Sequence, residues 1–126
     1  MILCDTDVII EFYKGNRQVI QNLRAIGEEN IAISIVTSGE LLFGALNKRE
    51  LNPISKDIEK LNLIHINQEI GNCFNELLIR YSLSHKLTLP DGLIAATCIV
   101  EGIQLYTRNL KDFKFIEGLR LYREEK

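Results

Sequence analysis

Tryptophan is absent from this 126-residue chain, and proline (two) and cysteine (three) are scarce. Three widely spaced cysteines form neither a disulfide framework nor a zinc-binding pattern, so we expect reduced core thiols. No apolar run approaches the ~18 residues that a membrane-spanning helix needs. The N-terminus also lacks the pattern of a signal peptide. We therefore expect a cytoplasmic protein that does not associate with a membrane.

A strong excess of either charge is also missing. The chain has 15 basic and 17 acidic residues, for a net charge of −2. This balance lacks the basic footprint that is typical of nucleic-acid binding, although acids gathered in one site would conceal a basic rim in the total. With 46% hydrophobic and 25% charged residues, the composition is that of an ordinary globular protein. We expect one domain spanning residues 1–126.

Short apolar segments alternate with amphipathic ones along the chain. The segments with a strand pattern are 2–4, 31–36, 63–66, 104–107 and 119–122. The segments with a helix pattern are 8–13, 17–28, 37–46, 55–61, 70–85 and 90–100. Strands that alternate with helices predict an α/β fold with three layers, α/β/α, around a mainly parallel sheet.

Four acidic residues occupy corresponding places in this pattern. Asp5 follows the first strand, Glu40 lies in the first turn of the helix after the second, Asp91 begins a late helix, and Asp112 follows the fourth strand. In a parallel sheet such junctions meet at one edge. Carboxylates that meet there raise each other's pKa, and a hard divalent cation removes the conflict. Oxygen ligands suit Mg²⁺ or Mn²⁺ better than zinc.

Each acid also has a purely structural explanation. Asp5 would cap the helix that follows it, and Asp7 would complement the dipole of that helix. Thr37 and Glu40 fit a capping box. The two remaining acids would be a favourable charge at a helix start and a turn residue. Spacing alone therefore leaves the function open.

The amino-acid sequences of four segments resemble the motifs of PIN-domain proteins. The segments are DTDVII (5–10), SIVTSGELLFGA (34–45), LPDGLIAAT (89–97) and TRNLKDF (107–113), with GLRL at 118–121. The family patterns at these places are DTNVLI, S-x-x-T-x-x-E-L-x-x-G, D-x-x-I-A-A-T and T-x-N-x-x-D-F…G-L. All four occur in the family's order and cover nearly the whole chain. The compact length and the TRN-x-x-DF ending most resemble the VapC-type toxins of toxin–antitoxin pairs.

This resemblance implies a Mg²⁺- or Mn²⁺-dependent endoribonuclease, the toxin of a type II toxin–antitoxin system. Carried over position by position, the catalytic residues would be Asp5, Glu40, Asp91 and Asp112. The metal ligands would be Asp5, Asp91 and Asp112, and the supporting residues Thr6, Thr107 and Asn109. The implied partners are an RNA substrate, a cognate antitoxin protein and a second copy of the chain. The dimer interface would involve the helix face around 19–23 or the one around 35–43.

The chain departs from the family pattern at three positions. Asp7 stands where Asn is more usual, so we expect it to cap a helix rather than to rank equally with Asp5. Asn109 stands where many members carry Asp, which leaves Asn109 and Asp112 both open as the fourth acidic-site position. Gly92 follows Asp91 where larger residues are common.

Two other functions compete with the nuclease. A non-catalytic PIN-like module that binds RNA or protein would explain Asn109 and the weak basicity, but it has no need of three intact acids. A phosphoryl-transfer receiver or phosphatase-like domain would also place Asp after its first strand. That class has no use for the segments around Glu40 and Asp91.

Overall fold

A parallel four-stranded sheet organises the computed structural model, which describes residues 1–125. Its strands are β1 (Ile2–Cys4), β2 (Ile31–Ser34), β3 (Asn62–Ile64) and β4 (Gln104–Tyr106). The order across the sheet is β3-β2-β1-β4, and all three pairings are parallel. The helices are α1 (Thr6–Tyr13), α2 (Arg17–Ile26), α3 (Ile35–Phe43), α4 (Lys48–Lys60), α5 (Gln68–His85) and α6 (Leu89–Glu101).

Successive strand residues point to opposite sides of the sheet. Helices cover both sides, so both faces of the sheet are buried. Leu3 and Leu105 pack into one apolar cluster with α5 and α6. Cys4 and Tyr106 pack into a second cluster with α1, α2 and α4. The predicted three-layer α/β/α fold is therefore confirmed. No helix within residues 1–125 has the length and apolar character needed to cross a bilayer.

Polar side chains set the starts of the helices. The residues that accept a hydrogen bond from a backbone N–H of the first turn are Asp5, Asn16, Ser34, Asn47, Asn67 and Thr88. Such caps satisfy amide groups that would otherwise have no partner within the helix. The cap residues of α1, α3 and α6 also begin the segments that carry the predicted acidic site.

The predicted boundary between the second strand and its helix was wrong. β2 ends at Ser34, and its hydroxyl oxygen accepts a 3.2 Å hydrogen bond from the N–H of Thr37. The helix therefore begins at Ile35, and Thr37 is not its cap. Glu40 lies in the second turn of α3 rather than in the first. The apolar pair Ile35–Val36 extends the strand pattern in the sequence, but the cap at Ser34 ends the strand.

Two further elements differ from the prediction. α4 is longer than the predicted 55–61 and contains Pro53, which is exposed and lies within the helix. The predicted fifth strand is only an isolated parallel bridge between Leu105 and Leu121.

The cysteines Cys4, Cys73 and Cys98 are free thiols as predicted, although Cys73 is only half-buried.

Gly92 is explained by close packing between two helices. A Cβ atom at this position would lie 3.2 Å from the Phe74 ring and 3.4 Å from Leu78 of α5. The missing side chain lets α6 approach α5 closely at the turn that follows Asp91. The departure from the family pattern at Gly92 is therefore a packing feature.

Candidate active site

Asp5 lies at the junction between β1 and α1 and is 6% exposed. Its Oδ1 accepts a 2.8 Å hydrogen bond from the Thr6 N–H, so it does cap α1. Its Oδ2 accepts a 2.8 Å hydrogen bond from the Thr107 hydroxyl, which follows the neighbouring strand β4. Capping and a place in the predicted site are thus compatible roles, one for each carboxylate oxygen.

Thr6 connects Asp5 to the next predicted acid. Its hydroxyl donates a 2.7 Å hydrogen bond to Oε1 of Glu40 and lies 3.0 Å from the Thr37 hydroxyl. Thr37 is fully buried, and Glu40 itself is exposed. The contact therefore draws an exposed carboxylate of α3 toward the start of α1.

Asp7 belongs to the same group of carboxylates, although only a helix-capping role was expected for it. Its Oδ2 accepts a 3.0 Å hydrogen bond from the backbone N–H of Arg108. Its Oδ1 is buried and has no hydrogen-bond partner within residues 1–125. A buried carboxylate oxygen without a partner is costly, so the environment of this atom is incomplete in the protein alone.

The two remaining acids come from the start of α6 and the loop after β4. Asp91 is half-buried, and its backbone N–H donates a 3.3 Å hydrogen bond to the Thr88 hydroxyl. Asp112 is exposed and ends a 3₁₀ turn, Leu110–Asp112. Asn109 directly precedes this turn, and its backbone N–H donates to the Thr107 hydroxyl at 3.1 Å.

Burial and mutual repulsion oppose the ionisation of Asp5. The pKa of the Asp5 carboxyl is raised to about 7, mainly by burial and in smaller part by the charges of Asp7 and Asp91. The hydrogen bonds from Thr107 and Thr6 act in the opposite direction. Burial also raises the pKa of Asp7, while the N–H and the charge of Arg108 oppose this rise.

The pKa of Asp91 depends on acids from three other segments. Burial raises its pKa, and the charges of Asp112, Glu40 and Asp7 raise it further. The four predicted acids and Asp7 therefore form one interacting group, which we call the carboxylate cluster. Its negative charge is concentrated enough to oppose its own ionisation.

A divalent cation suits the chemistry of this cluster. The donors are all hard oxygens, one of them a buried oxygen without a partner, and a cation would relieve the repulsion that raises their pKa values. However, no three His, Cys, Asp or Glu side chains within residues 1–125 lie together as the ligands of one metal ion do. The cluster is thus suited to a cation in donor type and charge, without being a formed coordination sphere.

Comparison with known proteins identifies the family. The model of the PIN domain family matches residues 2–118. The chain belongs to the PIN domain family. Ribonuclease VapC10 of Mycobacterium tuberculosis is 32% identical over 124 residues, covering 95% of this chain and 91% of the relative. Ribonuclease VapC1 of Methanocaldococcus jannaschii is 30% identical over 125 residues, covering 96% and 86%.

Solved structures agree with this assignment. A toxin–antitoxin complex from Klebsiella pneumoniae contains a chain that superposes with a TM-score of 0.83 and 33% identity, covering 99% of this PIN domain chain and all of that chain. The resemblance to PIN-domain proteins and their VapC-type members, stated from four sequence segments, is confirmed.

Sequence reasoning missed several residues that shape the site of this PIN domain. Thr88 and Ser34 cap the helices that carry Asp91 and Glu40. Thr37, which was predicted as a cap, instead lies 3.0 Å from the Thr6 hydroxyl. A serine or threonine directly before the first residue of a helix is a known cap signal, so both caps could have been predicted from the sequence. The hydrogen bond from Arg108 to Asp7 joins residues 101 positions apart and had no local signal.

Proposed function

We propose that this protein is a divalent-metal-dependent endoribonuclease, acting as the toxin of a type II toxin–antitoxin system within a single PIN domain. The observation that carries the proposal is the carboxylate cluster, in which acids from four separate segments act on one another at one edge of the sheet. The ribonuclease names of its relatives and the toxin–antitoxin title of a similar structure support it.

Asp5, Asp91 and Asp112 are the residues that we propose hold Mg²⁺ or Mn²⁺. When bound, such an ion polarises a scissile phosphate and lowers the pKa of a coordinated water. Asp112 is favoured over Asn109 as the fourth acidic-site position, because its charge already acts on Asp91. The contribution of Asn109 to the described structure is its backbone N–H, which fixes Thr107.

Glu40 is the residue that we propose orients the attacking water and accepts its proton. The 2.7 Å hydrogen bond from Thr6 holds one carboxylate oxygen, which leaves the other available. Thr6 and Thr107 therefore act through their neighbours: Thr6 positions Glu40, and Thr107 positions Asp5. Each hydroxyl group thereby orients one carboxylate of the cluster.

Cleavage of single-stranded RNA with added Mg²⁺, added Mn²⁺ or EDTA tests this function. We expect cleavage with either ion, none with EDTA, and a loss of about 100-fold or more in Asp91→Asn. Glu59→Gln, an exposed acid on α4, is the matched control and should cleave like the wild type. Full activity in EDTA, or in Asp91→Asn, would overturn the assignment.

The competing function is a PIN-like module that binds RNA without cutting it. The absence of a formed coordination sphere within residues 1–125 is the observation in its favour. Calorimetric titration with Mn²⁺ separates the two, since a module without catalysis has no need of the ion. Binding of Mn²⁺ that Asp5→Asn abolishes supports the nuclease.

An apolar groove gives the proposed antitoxin a place to bind. The groove has a volume of about 530 Å³ and runs along α1, whose first turn carries Asp7. Its apolar lining includes Ile9, Phe12, Tyr13, Ile20, Leu23 and Leu61. We propose that a peptide segment of the antitoxin fills this groove and extends toward the carboxylate cluster. Phe12→Asp should weaken complex formation in a pull-down with the antitoxin while leaving RNA cleavage intact.

Exposed apolar side chains also favour a homodimer. In one of the predicted interface regions Val19 is fully buried, and Ile20 and Leu23 line the groove proposed for the antitoxin. Phe43, from the other, is 93% exposed, and Leu83 of α5 is 95% exposed. We propose that a second copy covers such side chains. Light scattering should show a dimer for the wild type and a monomer for Phe43→Ser.

A further inference from the structure

The last seven described residues, 119–125, form a strap beside the edge strand β4, which we call the C-terminal strap. Leu105 donates its N–H to the Arg120 carbonyl at 2.9 Å, and Tyr122 donates its N–H to the Leu105 carbonyl at 2.8 Å. This strap lies outside the residues matched by the PIN family model, which end at 118. These two backbone hydrogen bonds hold the strap against the edge of the sheet.

A buried asparagine anchors the strap. Asn22 of α2 is 2% exposed, and its Oδ1 accepts hydrogen bonds from the Tyr122 hydroxyl at 2.7 Å and from the Glu125 N–H at 2.9 Å. These hydrogen bonds tether the Tyr122 side chain and the Glu125 backbone, on either side of Glu124, to one buried acceptor. The position of the Glu124 side chain is thereby restricted.

Glu124 turns inward, toward β4. Its Oε2 accepts a 2.5 Å hydrogen bond from the hydroxyl of Tyr106, a fully buried residue, and lies 3.5 Å from Nε of Arg108. The side chains of Arg108 and Glu124 are only 31% and 22% exposed. Solvent therefore screens this ion pair less than it does the pairs on the open surface.

Arg108 connects the strap to the carboxylate cluster. Its N–H binds Asp7, and Thr107 directly before it binds Asp5. Its guanidinium is held at Nε by Glu124 and, through Nη2, by Gln18 Oε1 at 3.4 Å. Nη1 has no hydrogen-bond partner within residues 1–125. One edge of the guanidinium is thus held while donors on the other remain available.

We propose that Glu124 is a positioning residue that holds Arg108 beside the carboxylate cluster, where the free guanidinium donors bind a phosphate of the RNA substrate. The inference rests on the proposed ribonuclease function and names a residue pair for that same site. A polyanion that approaches clustered carboxylates needs a cation at their edge, and arginine can bind two phosphate oxygens at once. A side chain that is held in place beforehand loses less conformational entropy on binding.

Two conservative substitutions on the strap test the proposal. Glu124→Gln removes the charge that holds Arg108, and Glu125→Gln makes the same change next to it, on an exposed side chain. Removing an acid should by itself favour RNA binding slightly, as we expect for Glu125→Gln. For Glu124→Gln we expect the opposite: a loss of about 5-fold in kcat/KM, mainly through KM. Tyr106→Phe keeps the ring but removes its hydrogen bond to Glu124, so a smaller loss in the same direction is expected.

Binding of a non-cleavable 2′-O-methyl RNA, followed by fluorescence anisotropy at several salt concentrations, gives the second readout. Arg108→Ala should lower the affinity about 10-fold and reduce the salt slope by about one. Adding Glu124→Gln to Arg108→Ala should cause no further loss and only the slight gain expected for Glu125→Gln, because the residue that Glu124 positions is gone. Thermal unfolding of each variant shows whether a loss of binding is merely a loss of fold.

Three results would overturn the proposal: Glu124→Gln behaving like Glu125→Gln, binding RNA more tightly than it, or adding its full effect to Arg108→Ala. The second would mean that Glu124 neutralises Arg108 instead of positioning it. If the wild type binds RNA but never cleaves it, the ribonuclease function fails. The RNA affinities of Glu124→Gln, Arg108→Ala and the double variant then still decide the role of Glu124. A wild type that binds no RNA would overturn both.

Discussion

Thr107 donates a 2.8 Å hydrogen bond to Oδ2 of Asp5 across 102 residues of sequence. The contact joins the ends of two neighbouring parallel strands, β1 and β4. It orients the most buried acid of the cluster and also favours the ionised form of that acid. Asn109 adds to the arrangement by donating its N–H to the same hydroxyl. A single threonine thus links the loop after β4 to the acid after β1.

Thr107→Val should make Asp5 harder to ionise. The substitution keeps the side-chain shape but removes the hydroxyl, so the pKa of Asp5 should rise above its present value of about 7. Because protonation of Asp5 competes with metal binding, we expect the acid limb of RNA cleavage at subsaturating Mn²⁺ to move to higher pH. We also expect a stability loss of about 1–2 kcal/mol. Thr107→Ser retains the hydroxyl and should keep the wild-type profile. An unshifted acid limb in Thr107→Val would contradict the role of this hydrogen bond.

Without metal, stability should fall as the pH rises. The pKa of Asp5 is about 7 in the folded protein and 3.8 as a free side chain, so between these values the folded state binds more protons than the unfolded state. The stabilisation from proton binding is complete below the lower value and is lost as the pH rises through the upper one. We expect urea unfolding in EDTA to show a loss on the order of 2–4 kcal/mol from pH 4 to pH 8.

Urea unfolding of Asp5→Asn in EDTA tests whether Asp5 causes this pH dependence. It should flatten the pH dependence and make the metal-free protein more stable than the wild type at pH 8, since no charge remains to be buried. The buried but neutral Asn22 offers a control, because Asn22→Ala should lower stability at every pH without changing the slope. A slope in Asp5→Asn equal to that of the wild type would show that other groups govern the titration.

Asp5 and Asp7 should differ in their effects on RNA cleavage. Asp7→Asn keeps an oxygen that accepts the hydrogen bond from Arg108, removes a charge that opposes ionisation of Asp5, and installs the residue more usual in the family. We expect activity within about 10-fold of the wild type, against a loss of about 100-fold or more in Asp5→Asn. Asp7→Leu, which cannot accept that hydrogen bond, should be far less active than Asp7→Asn. Equal losses in Asp5→Asn and Asp7→Asn would give the two acids the same rank.

Gly92 and Gly71 should respond differently to the same substitution. Both lie in helices, where alanine is normally better than glycine by about 0.5–1 kcal/mol. A Cβ at Gly71 meets nothing within 4 Å, whereas one at Gly92 meets the Phe74 ring at 3.2 Å. In urea unfolding we expect Gly71→Ala to stabilise the protein and Gly92→Ala to be less stable than Gly71→Ala by about 1 kcal/mol or more. Equal gains at the two positions would mean that Phe74 moves aside freely.

Local patterns predicted much of the architecture. The alternation of strands and helices, the parallel sheet and the helix over residues 90–100 follow from apolar periodicity and from proline and glycine at helix ends. The errors lie where two local signals compete. Ile35 and Val36 continue a strand pattern, yet the cap at Ser34 begins a helix. Leu119 to Tyr122 read as a strand, yet only one bridge forms beside β4.

The sequence by itself determined which side chains are available to the site, because strand ends and helix starts place Asp5, Asp91 and the loop after β4 at one edge of a parallel sheet. Only the tertiary structure decided how those side chains act on one another. Burial raises the pKa of Asp5, Thr6 draws Glu40 inward, and Asp7 joins the cluster through the N–H of Arg108. These effects depend on distances between segments that are far apart in the chain, and periodicity carries no information about such distances.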